Sequence, residues 1–395
     1  MDYFELLGRN EKLFDTDLLC HKEILLDVVR NSTFLVVGGA GTIGQAVCLE
    51  IFKRNPLKLH VVDLSENSMV ELVREIRSTM GYIAGEFKTF IIDCSSIEFD
   101  ALVKFEGPYD YILNLSALKH PRSESDPFTL MRMVSVNIFN SLKLAKIAKE
   151  HDCKKYFCVS TDKAANPVNM MGASKRIMEK FLIRESTAVP ISMARFANVA
   201  FSDGSLLDGF HRRFNKRQPF SAPNDILRYF ITPQESGELC LLSGILGDSR
   251  EIFFPKPSKE LQLTCFSDIA ERYLLKMGFE PYLCDSEDEA RKEIGALIKN
   301  NKWPCYFFKS DTTGEKPFEE FYTEQEIPIF DRFAEVGVLE ILPTPNNDNL
   351  NNFLQEIEKL RATGDWSRVD IINLFNDCLP GFNHMEKGKF LNDRM

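Results

Sequence analysis

The chain has 395 residues, 44% of them hydrophobic, and a formal net charge of -10. That length and apolar content suffice for a full core in one large or two closely joined domains. The acidic balance argues against a nucleic-acid partner, because sequence-independent binding of a polyphosphate backbone needs a basic surface.

In chain order, residues 1–32 read as an acidic helical extension. They show no basic stretch leading into an apolar one, and nowhere do 18 apolar residues run together. The chain is therefore expected to be cytoplasmic, with no membrane anchor. Strands and helices then alternate. TFLVVGG, LHVVDLS, FKTFIIDC, YDYILNLSA and KKYFCVSTD read as strands, and QAVCLEIFKRN, NSMVELVREIRSTM and SVNIFNSLKLAKIAKEHD as helices. Short apolar strands separated by amphipathic helices predict an α/β fold, a Rossmann-type doubly wound parallel sheet over residues 33–200 to which some later segments return.

From about Phe201 the alternation breaks, and Gly, Pro and aromatic residues become frequent. Residues 201–345 are expected to form a smaller mixed α/β substrate-binding region, with a strand–helix–strand insertion near 278–310. Residues 346–395 read as a polar C-terminal extension with weak helical periodicity. The ten cysteines and six histidines are dispersed, without CxxC or Cys/His ligand spacing, so no metal site is expected.

VVGGAGTIG places Gly38, Gly41, Thr42, Ile43 and Gly44 between a β-branched strand and a helix. Glycines there allow a tight turn, close approach of backbone to a pyrophosphate and close packing of helix on strand. About 20 residues on, the second strand ends in Asp63, which either accepts hydrogen bonds from an adenosine ribose or serves as a helix N-cap or turn residue. Leu64 to Asn67 include no Arg or Lys to receive a 2′-phosphate, so NAD is favoured over NADP. Asp93, ending the third strand, either reaches the adenine or caps its own helix.

The densest group of reactive side chains is VSTDKAANPVNMMGASK, with Thr161, Asp162 and Lys163 at a strand end and Lys175 on the following helix. Strand ends of such a sheet face the cofactor crevice. With GGAGTIG, NLSALKH, RFANV, RYFITPQESGEL and GEKPFEEFYTEQE, this segment resembles the extended short-chain dehydrogenase/reductase family over about residues 33–330. Within it, the chain is similar to the CapD-like nucleotide-sugar 4,6-dehydratases, of UDP-N-acetylglucosamine type, that serve polysaccharide and glycan biosynthesis. Met171 stands where most of the wider family has the catalytic Tyr. A thioether carries no ionisable proton, so Thr161, with Asp162 or Lys175 behind it, is the candidate to deprotonate the sugar 4-hydroxyl.

The resemblance implies conversion of an NDP-N-acetylhexosamine to its 4-keto-6-deoxy form by C4 oxidation, loss of water across C5 and C6, and hydride return to C6 on bound NAD. Asp162 and Lys163 would supply acid and base, and Lys175 would bind the nicotinamide ribose. The resemblance adds Ser116 to the cofactor site and Lys119, His120, Asn137, Arg195, Asn198 and Arg228 to the substrate site. It also implies a homo-oligomer, dimer or higher, paired through two helices flanking the cofactor domain. Two rivals stand beside it: a 4-epimerase with the same C4 oxidation and no elimination, and a non-catalytic NAD-binding scaffold, suggested by Met171.

Overall fold

The computed structural model describes residues 3–343 and 347–388. Residues 1–2, 344–346 and 389–395, within the expected extensions and at the end of the expected substrate region, lie outside it. Three helices open the chain: α1 (Tyr3–Leu7), α2 (Asp15–Cys20) and α3 (Lys22–Arg30). The alternation follows as β1 (Thr33–Val37), α4 (Thr42–Phe52), β2 (Lys58–Asp63), α5 (Glu66–Thr79), β3 (Glu86–Ile91), α6 (Ile97–Glu106) and β4 (Tyr111–Asn114). It continues with α7 (Pro127–Val134), α8 (Asn140–Glu150), β5 (Lys155–Thr161), α9 (Met170–Glu185) and β6 (Ile191–Phe196).

The six strands lie in the order β3-β2-β1-β4-β5-β6, all parallel. Glu251–Pro255 extends the sheet in parallel beyond β6, and Val336–Glu340 and Pro328–Ile329 close it antiparallel. β1, β4 and β5 are almost wholly buried apolar runs, as strands covered on both faces must be. Strand order reverses between β1 and β4, so a crevice opens beyond their carboxyl ends, where this architecture binds ligands.

A second apolar cluster, around Phe210, Phe220, Tyr273 and Trp303, forms the core of a smaller unit. In it Glu280–Leu283 and Lys302–Phe308 flank the helix Glu287–Ile298 and pair in parallel, with Phe220–Pro223 beside them. The helices Asp348–Thr363 and Arg368–Cys378 pack on α9, and Phe353 meets Phe181 at a tilt and Phe375 edge-on. Among the described residues no helix is long and apolar enough to cross a membrane.

Candidate active site

The turn after β1 is built so closely that only glycine fits. Gly38 has φ +77°, and a Cβ there would stand 2.5 Å from the Ser116 backbone nitrogen. Asp63 stitches the turn to β2: Oδ2 accepts from Ala40 N–H at 2.9 Å and Oδ1 from Ser65 N–H at 2.9 Å. α4 then begins at Gly41 with no side-chain cap, leaving its first amides to face an anion.

Two cavities meet at this turn, sharing Gly38, Gly41, Leu115 and Ala117. One, of about 370 Å³, is lined by Asp63, Asp93, Ser116 and Arg132. There Asp93 accepts hydrogen bonds from Ser95 and pairs with Arg132 at 3.2 Å. Burial opposes its charge, yet these partners hold its carboxyl below the ordinary value. Asp63 and Asp93 each hold a turn and line the cavity, while Ser65 and Ser96 cap the helices that follow.

The other cavity, of about 350 Å³, is lined by Thr42, Ile43, Gly44, Lys119, His120, Thr161, Lys163, Met171, Lys175 and Asn198 among others. Asp162 is 1% exposed and sits behind this wall. Its Oδ1 accepts from the Thr161 hydroxyl at 2.8 Å, the Lys163 amide at 2.8 Å and Lys163 Nζ at 3.0 Å. Lys163 Nζ also donates to Asn198 Oδ1 at 3.1 Å. An acid and an ammonium are thus locked together at the end of β5, and Thr161 and Lys163 carry the pair to the cavity surface.

Lys175 is buried and donates to the Val159 carbonyl at 3.0 Å. Burial pushes its ammonium down from its usual value. Lys119 is lowered by burial too, with Asp203 and Asp208 opposing, and donates to Ser202 Oγ at 3.3 Å. The site therefore sets three lysines around one space, two of them held toward the neutral amine.

Three substrate-site expectations are corrected. Arg195 is fully buried, and all five of its donors are taken: two bonds go to Glu179, two to Glu326 and one to the Phe321 carbonyl. No N–H remains for a diphosphate. Asn137, in a π-helical turn at Ser135–Phe139, bonds both backbone groups of Leu118 and the Ser174 hydroxyl. It fixes the loop that carries Lys119 and does not face the cavity. Arg228 is buried and turned to the carbonyls of Leu227 and Lys316 and toward Glu319, away from the cavity lining.

Sequence reasoning missed the Glu179–Arg195–Glu326 network, with Ser160 donating to Glu179 at 2.6 Å, and the buried Glu319. GEKPFEE and the helix sequence offered acids but no sign of which face inward. The cysteines form no disulfide, and nine of the ten are buried. Among the described residues His60, Glu86 and Glu106 lie close enough to ligate an ion, but Lys88 bridges the two carboxylates at 3.0 and 3.1 Å and supplies the cation.

The family described as "Polysaccharide biosynthesis protein" matches residues 34–326. An uncharacterized membrane protein of Methanocaldococcus jannaschii is 30% identical over 82% of this chain and 89% of its own length. The capsular polysaccharide biosynthesis protein CapD of Staphylococcus aureus is 28% identical over 89% of this chain, which spans only 55% of CapD. Named activities among relatives differ. A UDP-glucose 4-epimerase of Rickettsia prowazekii is 24% identical over 87% of this chain and 99% of its own. A UDP-N-acetylglucosamine 4,6-dehydratase (inverting) of Campylobacter jejuni is 27% identical over 58% of this chain and 68% of its own. The fold is that of Pen from Bacillus thuringiensis (TM-score 0.63, 18% identity, 84% of this chain and 98% of that one). It is also that of the Bordetella bronchiseptica enzyme WbmF in complex with NAD+ (TM-score 0.51, 18% identity, 68% and 88%).

Proposed function

Because the chain belongs to the polysaccharide biosynthesis protein family, we propose that it is an NAD-dependent nucleotide-sugar 4,6-dehydratase, acting on an NDP-N-acetylhexosamine such as UDP-N-acetylglucosamine. The observation that carries this reading is the Thr161–Asp162–Lys163 group, an acid and an amine bonded together beside the glycine turn. NAD fits the residues present: a cradle at Gly38 that any Cβ would fill, uncapped amides at the start of α4, and Asp63 and Asp93 in the adjoining cavity. When bound, NAD supplies reversible oxidation of a secondary alcohol.

The protons are the protein's task. Thr161 takes the proton of the sugar 4-hydroxyl as it passes its own to Asp162 Oδ1, 2.8 Å away. Asp162 returns that proton through Thr161 to the 6-hydroxyl, which leaves as water, so the departing water carries the proton lost at O4. Lys163 removes the C5 proton and gives it back to C5 at the end of the cycle. Lys175, Lys119 and Asn198 orient the ring and phosphates, and Met171 excludes water from the same wall.

Incubation with UDP-N-acetylglucosamine and its GDP counterpart, followed by mass spectrometry, tests the reading. A product lighter by one water is expected. An isomer of equal mass would instead establish a 4-epimerase, the reading favoured by the Rickettsia relative. Bound NAD with no turnover would leave the scaffold reading. Lys163→Ala and Asp162→Asn are each expected to lower kcat by about 10²–10⁴-fold, the range for removing a general acid or base. Unchanged rates would remove both residues from the mechanism.

A further inference from the structure

The loop after Phe308 carries Glu319 into the interior next to the segment that follows the Asp162–Lys163 pair, where Asn166 Nδ2 donates to Oε2 of the adjacent Glu320 at 2.9 Å. Glu319 is 3% exposed. Its Oε1 stands 3.7 Å from Arg228 Nη2 and its Oε2 3.6 Å from Lys316 Nζ, both too far for hydrogen bonds. Glu319 Oε2 and Asp162 Oδ2 are each buried with no hydrogen-bond partner among the described residues. The molecule thus keeps two carboxyls out of water, each with an unmet oxygen: Asp162 bonded to Lys163, and Glu319 held to Arg228 and Lys316 at ion-pair distance alone. Oxygen atoms left so are costly, and two like charges so placed cannot both ionise easily.

The loop is pinned from several sides. Asn169, which caps the start of α9, donates to the Gly314 carbonyl at 2.8 Å. Gly314 N–H donates to Met385 O at 2.9 Å, the Lys387 amide to Thr313 Oγ1 at 3.0 Å, and the Leu227 amide to Pro317 O at 2.7 Å. The turn that introduces Met171 and the C-terminal strap therefore hold Glu319 in place.

We propose that Glu319 is a positioning residue for the dehydration, a second buried carboxyl whose proton sets the charge that Asp162 and Lys163 feel. The inference rests on the dehydratase reading. With Glu319 neutral, the one carboxylate bonded to Lys163 is that of Asp162. With Glu319 ionised, a second negative charge is added nearby, and added negative charge works against an amine acting as a base. Burial pushes the Glu319 carboxyl up and Asp162 adds to this, while Lys163, Arg228 and Lys316 pull the other way; the net direction is upward. Glu319 is thereby inclined to retain its proton.

The test compares wild type, Glu319→Gln and Glu319→Asp by infrared spectroscopy and by kcat against pH. The wild-type spectrum less that of Glu319→Gln, which copies the neutral form, is expected to show at neutral pH the carbonyl stretch of a protonated buried carboxyl; taking the difference cancels the band of Glu238, also raised by burial. Glu319→Gln should keep kcat and KM within about threefold at neutral pH and lose the alkaline fall of kcat, whereas Glu319→Asp keeps a displaced fall. A difference spectrum without that band, or a Glu319→Gln profile superimposable on the wild type, overturns the proposal. A loss of kcat equal at every pH, with a normal thermal transition, overturns it also. If the wild type removes water from no nucleotide sugar, the dehydratase reading fails, and the infrared comparison still decides whether Glu319 holds the proton.

Discussion

Arg195 shows how an expected ligand becomes a structural keystone. Its guanidinium lies between Glu179 and Glu326, two carboxylates from α9 and a distant loop, with no exposure to solvent. Removing one partner of such a group leaves the others charged and dry. Arg195→Met is therefore expected to cost ~3–5 kcal/mol in chemical denaturation, with nucleotide-sugar KM unchanged in the fraction that folds. A KM rise at undiminished stability would restore Arg195 to the substrate site. Arg195→Lys should fail too, because a point charge cannot make the five forked bonds. Met171 illustrates the opposite case, in which the residue type alone was informative: the thioether lines the cavity and can only fill space there.

Among the elements, the β1–α4 turn and the C-terminal helix pair support separate functions. Gly38→Ala would drive a methyl group against the Ser116 backbone in a left-handed conformation. Calorimetric titration with NAD should show affinity reduced at least about tenfold, since the amides proposed to hold the pyrophosphate must shift; unchanged affinity would place the dinucleotide elsewhere. The helices Asp348–Thr363 and Arg368–Cys378 bury Phe353 against α9, and Trp366 Nε1 donates to the Pro127 carbonyl at 3.1 Å. Phe353→Ala should cost ~3–5 kcal/mol, read as a lower thermal midpoint, because the cavity opens beneath the helix that bears Lys175. Of the two helices, the first alone was legible, as weak periodicity in NLNNFLQEIEKLRA: the apolar stripe is narrow, and most of its stabilisation comes from the surface it covers.

At the scale of the whole molecule, two carboxyls set opposite pH limits on stability. Against the effect of burial, Arg195 holds the Glu326 carboxyl down at about 2, so its contribution is present above the unfolded value near 4.5 and disappears as pH falls toward 2. Burial raises Glu238 to about 7; its contribution is present below 4.5 and is lost as pH rises through 7. Glu238→Gln is accordingly expected to stabilise the protein by on the order of 2–3 kcal/mol at about pH 8 and scarcely at all at about pH 4, as thermal melts at the two pH values would show. Equal shifts at both would mean that Glu238 does not titrate there. The parallel sheet, the glycine turn and the grouping of Thr161, Asp162 and Lys163 at the end of β5 were readable from sequence because each depends on neighbours within a few positions: apolar period, backbone room, adjacent side chains. Which polar residues face the cavity was not, because that depends on partners brought together only by folding. Arg195 meets Glu326 across 131 residues, Asn137 meets Ser174 across 37, and Glu319 meets Arg228 at 3.7 Å from a loop beyond the smaller unit. Local sequence thus determined the sheet and its cofactor turn, and tertiary contact alone decided which charged side chains remain free for chemistry, since a donor already bonded within the core has nothing left to offer a substrate.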